Sequence, residues 1–125
     1  MHWLYKVAGE FAISYLRKHL VEQRQDNEIM YWSLTTRPQD SVGRAKAVGR
    51  KDRELVVSVL RKGKVVESYL GWADCRICGV MLGTHDVGSH GFVWPEKADH
   101  YITEHNVWTP GLDALCAAVK TSRRT

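Results

Sequence analysis

Cys75, Cys78, His100 and His105 have the residue types and spacing of a metal site. Two thiolates separated by two residues both reach one ion when the backbone makes a tight knuckle, and Gly79, directly after Cys75-Arg76-Ile77-Cys78, lets backbone amides turn toward sulfur. His100 and His105 would supply two imidazoles from one helix end. A five-residue gap on a helix puts the rings about 140° apart, so both meet one ion only if the last turn loosens near His105. Two thiolates and two imidazoles make a tetrahedral zinc set with no position left for water or substrate, so the expected zinc is structural rather than catalytic. His85 and His90, on the intervening turn beside Asp86, compete with the helix histidines as ligands.

Other metal chemistries fit less well. The 21 residues between Cys78 and His100 exceed the dozen or so of a DNA-reading finger, and the helix they feed carries Glu96, Asp99 and Glu104 against only Lys97. Such a helix would be repelled in a major groove. A zinc deaminase needs His-x-Glu and Pro-Cys-x-x-Cys, whereas Ala73-Asp74 precedes the first cysteine here. A hydrolase or nuclease could draw on Asp99-His100, His105-Asn106 or His85-Asp86, but using His100 in chemistry removes it from the metal. No catalytic residue is assigned.

The stretch Ser68-Tyr69-Leu70-Gly71-Trp72, then Cys75-Arg76-Ile77-Cys78-Gly79, Trp94-Pro95-Glu96 and His100-Tyr101-Ile102 followed by His105 and Val107 resembles a small uncharacterised bacterial protein family. That family has a Cys-Arg-x-Cys-Gly knuckle and a Trp-Pro-Glu helix start before His-Tyr and a second His. The resemblance covers about residues 66–112. It implies the zinc site and a shared fold, and it brings no activity with it.

A second feature lies outside that match. From Arg37 to Lys64 the chain holds 9 Lys+Arg against 3 Asp+Glu, interrupted by Pro38, Gly43 and Gly49. This suits an exposed basic loop, with Arg44, Lys46, Arg50, Lys51 and Arg53 as phosphate contacts and Tyr31 or Trp32 available to stack on bases. The alternative partner is a protein, met through some of the five tryptophans, most of which should be core.

The elements that must position these groups follow from periodicity. Leu4, Val7, Phe11, Tyr15, Leu16 and Leu20 recur at helical intervals over residues 2–23. Glu28 to Thr35 alternates as a strand. Leu55 to Leu60 and Val65 to Trp72 form two apolar runs about Arg61-Lys62-Gly63-Lys64 and suggest a hairpin whose glycine takes a positive φ. Short strands at 81–84 and 92–94 flank a turn at 87–91. Pro95 suits a helix start, Asn106 a left-handed helix end, and Thr109-Pro110 the cap of a last helix with Leu112, Leu115, Cys116 and Val119 on one stripe.

The expected architecture is α+β in one domain over 1–125: an N-terminal helix on a small antiparallel sheet, a zinc knuckle-hairpin-helix module, and a C-terminal helix with a frayed tail at 121–125. With 125 residues, 44% of them hydrophobic, one core is the default. Charge divides unevenly, because residues 1–65 carry 13 Lys+Arg against 7 Asp+Glu while residues 66–125 carry 5 against 7. Three cysteines make no even disulfide framework and point to a reducing compartment, expected to be the cytoplasm. Charges within the first twenty residues argue against a signal peptide or membrane span.

Overall fold

In the computed structural model, which describes residues 27–124, Val56 and Leu60 are the deeply buried members of the run expected to be a hairpin strand. Their four-residue separation belongs to a helix. The segment Arg50–Arg61 is helix α1, opened by the Arg53 N–H to Gly49 carbonyl bond at 3.0 Å. Asp52 in its first turn and Arg61 in its last complement the helix dipole. The expected hairpin is therefore corrected to a helix followed by strand β1, Lys64–Asp74. Gly63 between them serves close packing rather than a positive φ: a Cβ there would lie 2.8 Å from both Trp94 Cζ2 and Val87 Cγ1.

Strands β2 (Met81–Ser89) and β3 (Phe92–Pro95) complete an antiparallel sheet of order β1-β2-β3. The expected short strands are both present, with the first extended and the turn reduced to His90 and Gly91, both at positive φ. Between Ser68↔His85 and Ala73↔Gly83 the β1 strand carries extra residues, with Gly71 at φ +87° inside the bulge. The strand expected over 28–35 reduces to a parallel bridge, Glu28↔Val93, with Ile29 N–H donating to the Val93 carbonyl at 3.0 Å. Met30 at φ +64° ends the pairing there. A short fourth segment thus lies against β3, and the fold is α+β.

The segment expected as a basic loop is largely structured. Two 3₁₀ turns, Pro38–Ser41 and Arg44–Ala47, lead straight into α1. The helix expected from Pro95 begins later, as α2, Asp99–His105. Pro95 instead pairs with Asp86 at the end of β3, and short bonds (Ala98 N–H to Pro95 O, His100 N–H to Lys97 O) wind the connection. A proline is tolerated as the last residue of β3 because the fourth segment's bridge stops at Val93, so the missing N–H breaks no ladder bond.

Helix α3, Pro110–Arg124, starts as expected, with Thr109 Oγ1 accepting from Leu112 N–H. Leu112, Leu115, Cys116 and Val119 are all buried. It continues into the tail expected to fray, as far as Arg124. Asp52–Lys120 and Arg61–Asp99 ion pairs, each at 2.9 Å, tie α1 to α3 and to α2. The core centres on Trp94, fully buried, whose Nε1–H donates to the Leu60 carbonyl at 3.2 Å. The helix expected over 2–23 falls outside the described residues. No helix among the described residues is long and apolar enough to cross a membrane.

Candidate metal centre

Cys75 follows directly on β1, where its N–H donates to the Val80 carbonyl and its carbonyl accepts from Gly79 N–H, both at 2.8 Å. Gly79 sits at φ +82°, so the chain reverses within the motif. The Ile77 amide points at Cys75 Sγ, 3.4 Å away. This is the knuckle the glycine implied. Cys75 is buried and Cys78 exposed, so the pair opens to solvent on one side.

The histidines come from α2. His105 is its last residue, and Asn106 is left-handed at φ 55°, ψ 37°. The Asn106 amide reaches the carbonyls of both Ile102 and Tyr101, and Val107 N–H also returns to the Tyr101 carbonyl at 3.0 Å. This compact ending brings the His100 and His105 ring centroids within 5.1 Å, at 72° to each other. Donor atoms of Cys75, Cys78, His100 and His105 all lie within 4.8 Å of one another.

Cys78 Sγ and His100 Nε2 are 3.4 Å apart. Zinc bonds of about 2.3 Å to sulfur and 2.0 Å to nitrogen place tetrahedral donors about 3.3–3.8 Å apart, so the set needs only a small contraction to hold one ion. His105 Nε2 is buried with no hydrogen-bond partner among the described residues. A buried polar atom left unpaired costs about 1–3 kcal/mol, and a metal bond would remove that cost. Only one other buried side-chain polar atom shares this condition among the described residues, Trp32 Nε1, on a ring that meets Tyr101 edge-on. The expected competitors lie elsewhere: His85 Nδ1 is 3.0 Å from Thr84 Oγ1, and His90 Nδ1 is 2.6 Å from Ser89 Oγ. Neither joins the cluster.

No protein-family model matches the chain, and neither a curated protein nor a solved structure matches it.

Tyr101 supports the centre in a way the ligand spacing did not reveal. It is buried, and its Oη accepts the Arg76 N–H at 2.8 Å, which fixes the knuckle against α2. Burial is the main cause that holds the phenol above its ordinary pKa, so it remains an uncharged acceptor. The available signal was its place next to His100, since one helical step turns the ring from the ligand face toward the core. Tyr101→Phe should leave the Arg76 amide without its acceptor and cost about 1–3 kcal/mol, measured as a lowered thermal midpoint with the overall structure retained.

The five basic candidates are spread over two elements. Arg44 and Lys46 lie exposed on the second 3₁₀ turn, and Arg50 and Lys51 lie exposed at the start of α1. Arg53 is half-buried, with Nε–H donating to the Val48 carbonyl at 3.1 Å. Arg50 pairs with Glu54 at 2.9 Å, and that hydrogen bond, followed by the carboxylate's charge, raises its pKa further. The segment is sewn to the metal centre at two points. Gln39 Nε2 donates to the Arg76 carbonyl at 2.8 Å, and Ala45 N–H to the Asn106 carbonyl at 2.9 Å.

Proposed function

We propose that the protein is a non-enzymatic binding module, stapled by one structural zinc on Cys75, Cys78, His100 and His105, that contacts nucleic acid through its basic segment. The observation that carries the zinc reading is the unpartnered His105 Nε2 beside two thiols and a second imidazole. Thiolate and imidazole together favour zinc over the hard cations, which take oxygen. Four protein ligands fill a tetrahedron, so the ion is a cross-link and not a Lewis acid for substrate.

The nucleic-acid reading rests on Arg44, Lys46, Arg50, Lys51 and Arg53 lying on a 3₁₀ turn and the start of α1, in a segment anchored by Ala45 to the Asn106 carbonyl and by the preceding Gln39 to the Arg76 carbonyl. A fixed basic surface contacts phosphates with less ordering cost than a floppy one. Affinity for a labelled oligonucleotide should fall steeply between 50 and 200 mM salt. Reversing the exposed Lys46 and Lys51 to glutamate should weaken it at least about tenfold, as read by fluorescence anisotropy. Salt-insensitive capture of a protein, with no oligonucleotide binding, would favour the second reading, a protein-binding regulator or inhibitor. That reading is supported by Val65, Val66 and Trp72, which are 60%, 63% and 65% exposed on edge strand β1.

A further inference from the structure

A cleft of about 440 Å³ opens between α1 and α2, lined by Arg50, Arg53 and Arg61 above an apolar floor that includes Val57 and Ile102. Arg50 and Arg61, eleven residues apart, come within about 20° of the same direction after three turns, and Arg53 lies about 60° to one side, so all three border one face. All three are held in the same manner. Arg50 Nε donates to Glu54, Arg53 Nε to the Val48 carbonyl, and Arg61 Nε to Asp99. Their terminal Nη groups make no hydrogen bond to any described residue. Each guanidinium is thus oriented at one edge while its outer fork remains available, and a fork of that kind matches phosphate oxygens.

From these observations we infer that the cleft is the phosphate track of the binding surface, following one nucleic-acid strand along α1. The inference rests on the nucleic-acid reading above and extends it to Arg61, which the basic segment's five candidates omit. Length decides between a strand and a single nucleotide. Arg50 and Arg61 are separated by eleven residues of helix, about 16 Å of rise, too far for both to grip one phosphate. Successive phosphates of a strand span that distance. Glu54 within the cleft and Asp99 beside Arg61 offset part of the charge. The exposed Arg50–Glu54 pair is weak and yields readily to a competing phosphate, whereas Asp99, only 14% exposed, holds Arg61 Nε and leaves its outer fork for the ligand.

The test uses the whole protein with its metal, a labelled single-stranded 20-mer, and titrations over a range of salt. The double variant Arg50→Gln, Arg61→Gln removes two forks and leaves the Arg53 tether in place. Each contact is worth about 0.7 of a unit of log–log salt slope, so the double variant should lose about 1.4 units of slope and about 25-fold in affinity at 0.1 M salt. Arg123→Gln, exposed near the end of α3, should bind as the parent does. Equal thermal midpoints for parent and variants would show that folding is not the cause. Oligonucleotide binding that survives the double variant unchanged would overturn the track while sparing the nucleic-acid reading. Absence of any oligonucleotide binding by the parent would overturn both. Full displacement of the 20-mer by an equimolar mononucleotide would replace the track with a single-nucleotide pocket.

Discussion

Cys75→Ser should lose metal and folded structure together. Purified parent protein should carry about one zinc per chain, and a strong chelator should lower its thermal midpoint as the mutation does. The magnitudes make the effect large. Structural zinc contributes about 10–16 kcal/mol of apparent binding energy in finger peptides, whereas a domain's entire stability is about 5–15 kcal/mol. Cys75 directly follows β1, and His100 and His105 lie in the first and last turns of α2, so a bound ion would join the sheet to the helix that packs on α1. A thiol reagent gives an independent readout. With metal bound, Cys116 should resist, because it is buried on α3 and that burial pushes its thiol pKa up. After chelation Cys75 and Cys78 should react, and Cys116 should follow as the chain unfolds. Cys116→Ala should keep its zinc. Metal-free protein with the parent's melting curve would end the zinc assignment.

The Cys75, Cys78, His100 and His105 cluster was legible in the sequence because its parts are local. The knuckle is five consecutive residues, and both histidines belong to one helix with a recognisable left-handed end at Asn106. Chain direction then needed only one long-range association, knuckle to helix, to bring the donors together. The segment Leu55–Leu60 was harder. Val56, Val57 and Val59 have the β-branched character of a strand, and a short apolar run carries too few residues to separate periods of two and 3.6. What decides it is packing against Trp94, Leu112 and the rest of the core, which no local pattern contains. At residues 28–35 the alternation was real but did not make a strand. Tyr31 Oη still donates to Asp86 on β2 at 2.8 Å while Trp32 meets Tyr101 of α2 at 5.3 Å, so neighbouring side chains serve opposite surfaces without a ladder.

The basic segment shows a related gap between composition and placement. Its charge was plain, but the glycines and proline that suggested a loop instead punctuate two 3₁₀ turns and the start of α1. Val48 and Ala45 pack inward, Ala45 completely, so the charged residues project from a seated segment. Its hydrogen bonds to Arg76 and Asn106 place its two anchors immediately beside the candidate ligands Cys75 and His105. Metal loss should therefore loosen the basic surface as well as the core. An oligonucleotide affinity that falls on chelation and returns on adding zinc follows from that connection.

The other large effect belongs to Trp94, where sheet and α1 meet. Trp94→Ala should cost about 3–5 kcal/mol from lost burial and the cavity together, and the Leu60 carbonyl would also lose its indole donor. In a chain of this size that lowers the thermal midpoint by more than about 10 °C. Trp94→Phe should cost less, since a ring still fills part of the space. Gly63→Ala should destabilise by about 1–3 kcal/mol, because its Cβ would press on Trp94 Cζ2 and Val87 Cγ1 at 2.8 Å. The two sites share that contact, and phenylalanine has no Cζ2 on a fused second ring. The double variant Gly63→Ala, Trp94→Phe should accordingly lose less stability than the two single losses combined, by about 0.5 kcal/mol or more. Strict additivity in denaturant unfolding would mean that Gly63 is required by Val87 or the backbone, and that the indole does not set the close approach of α1 to the sheet.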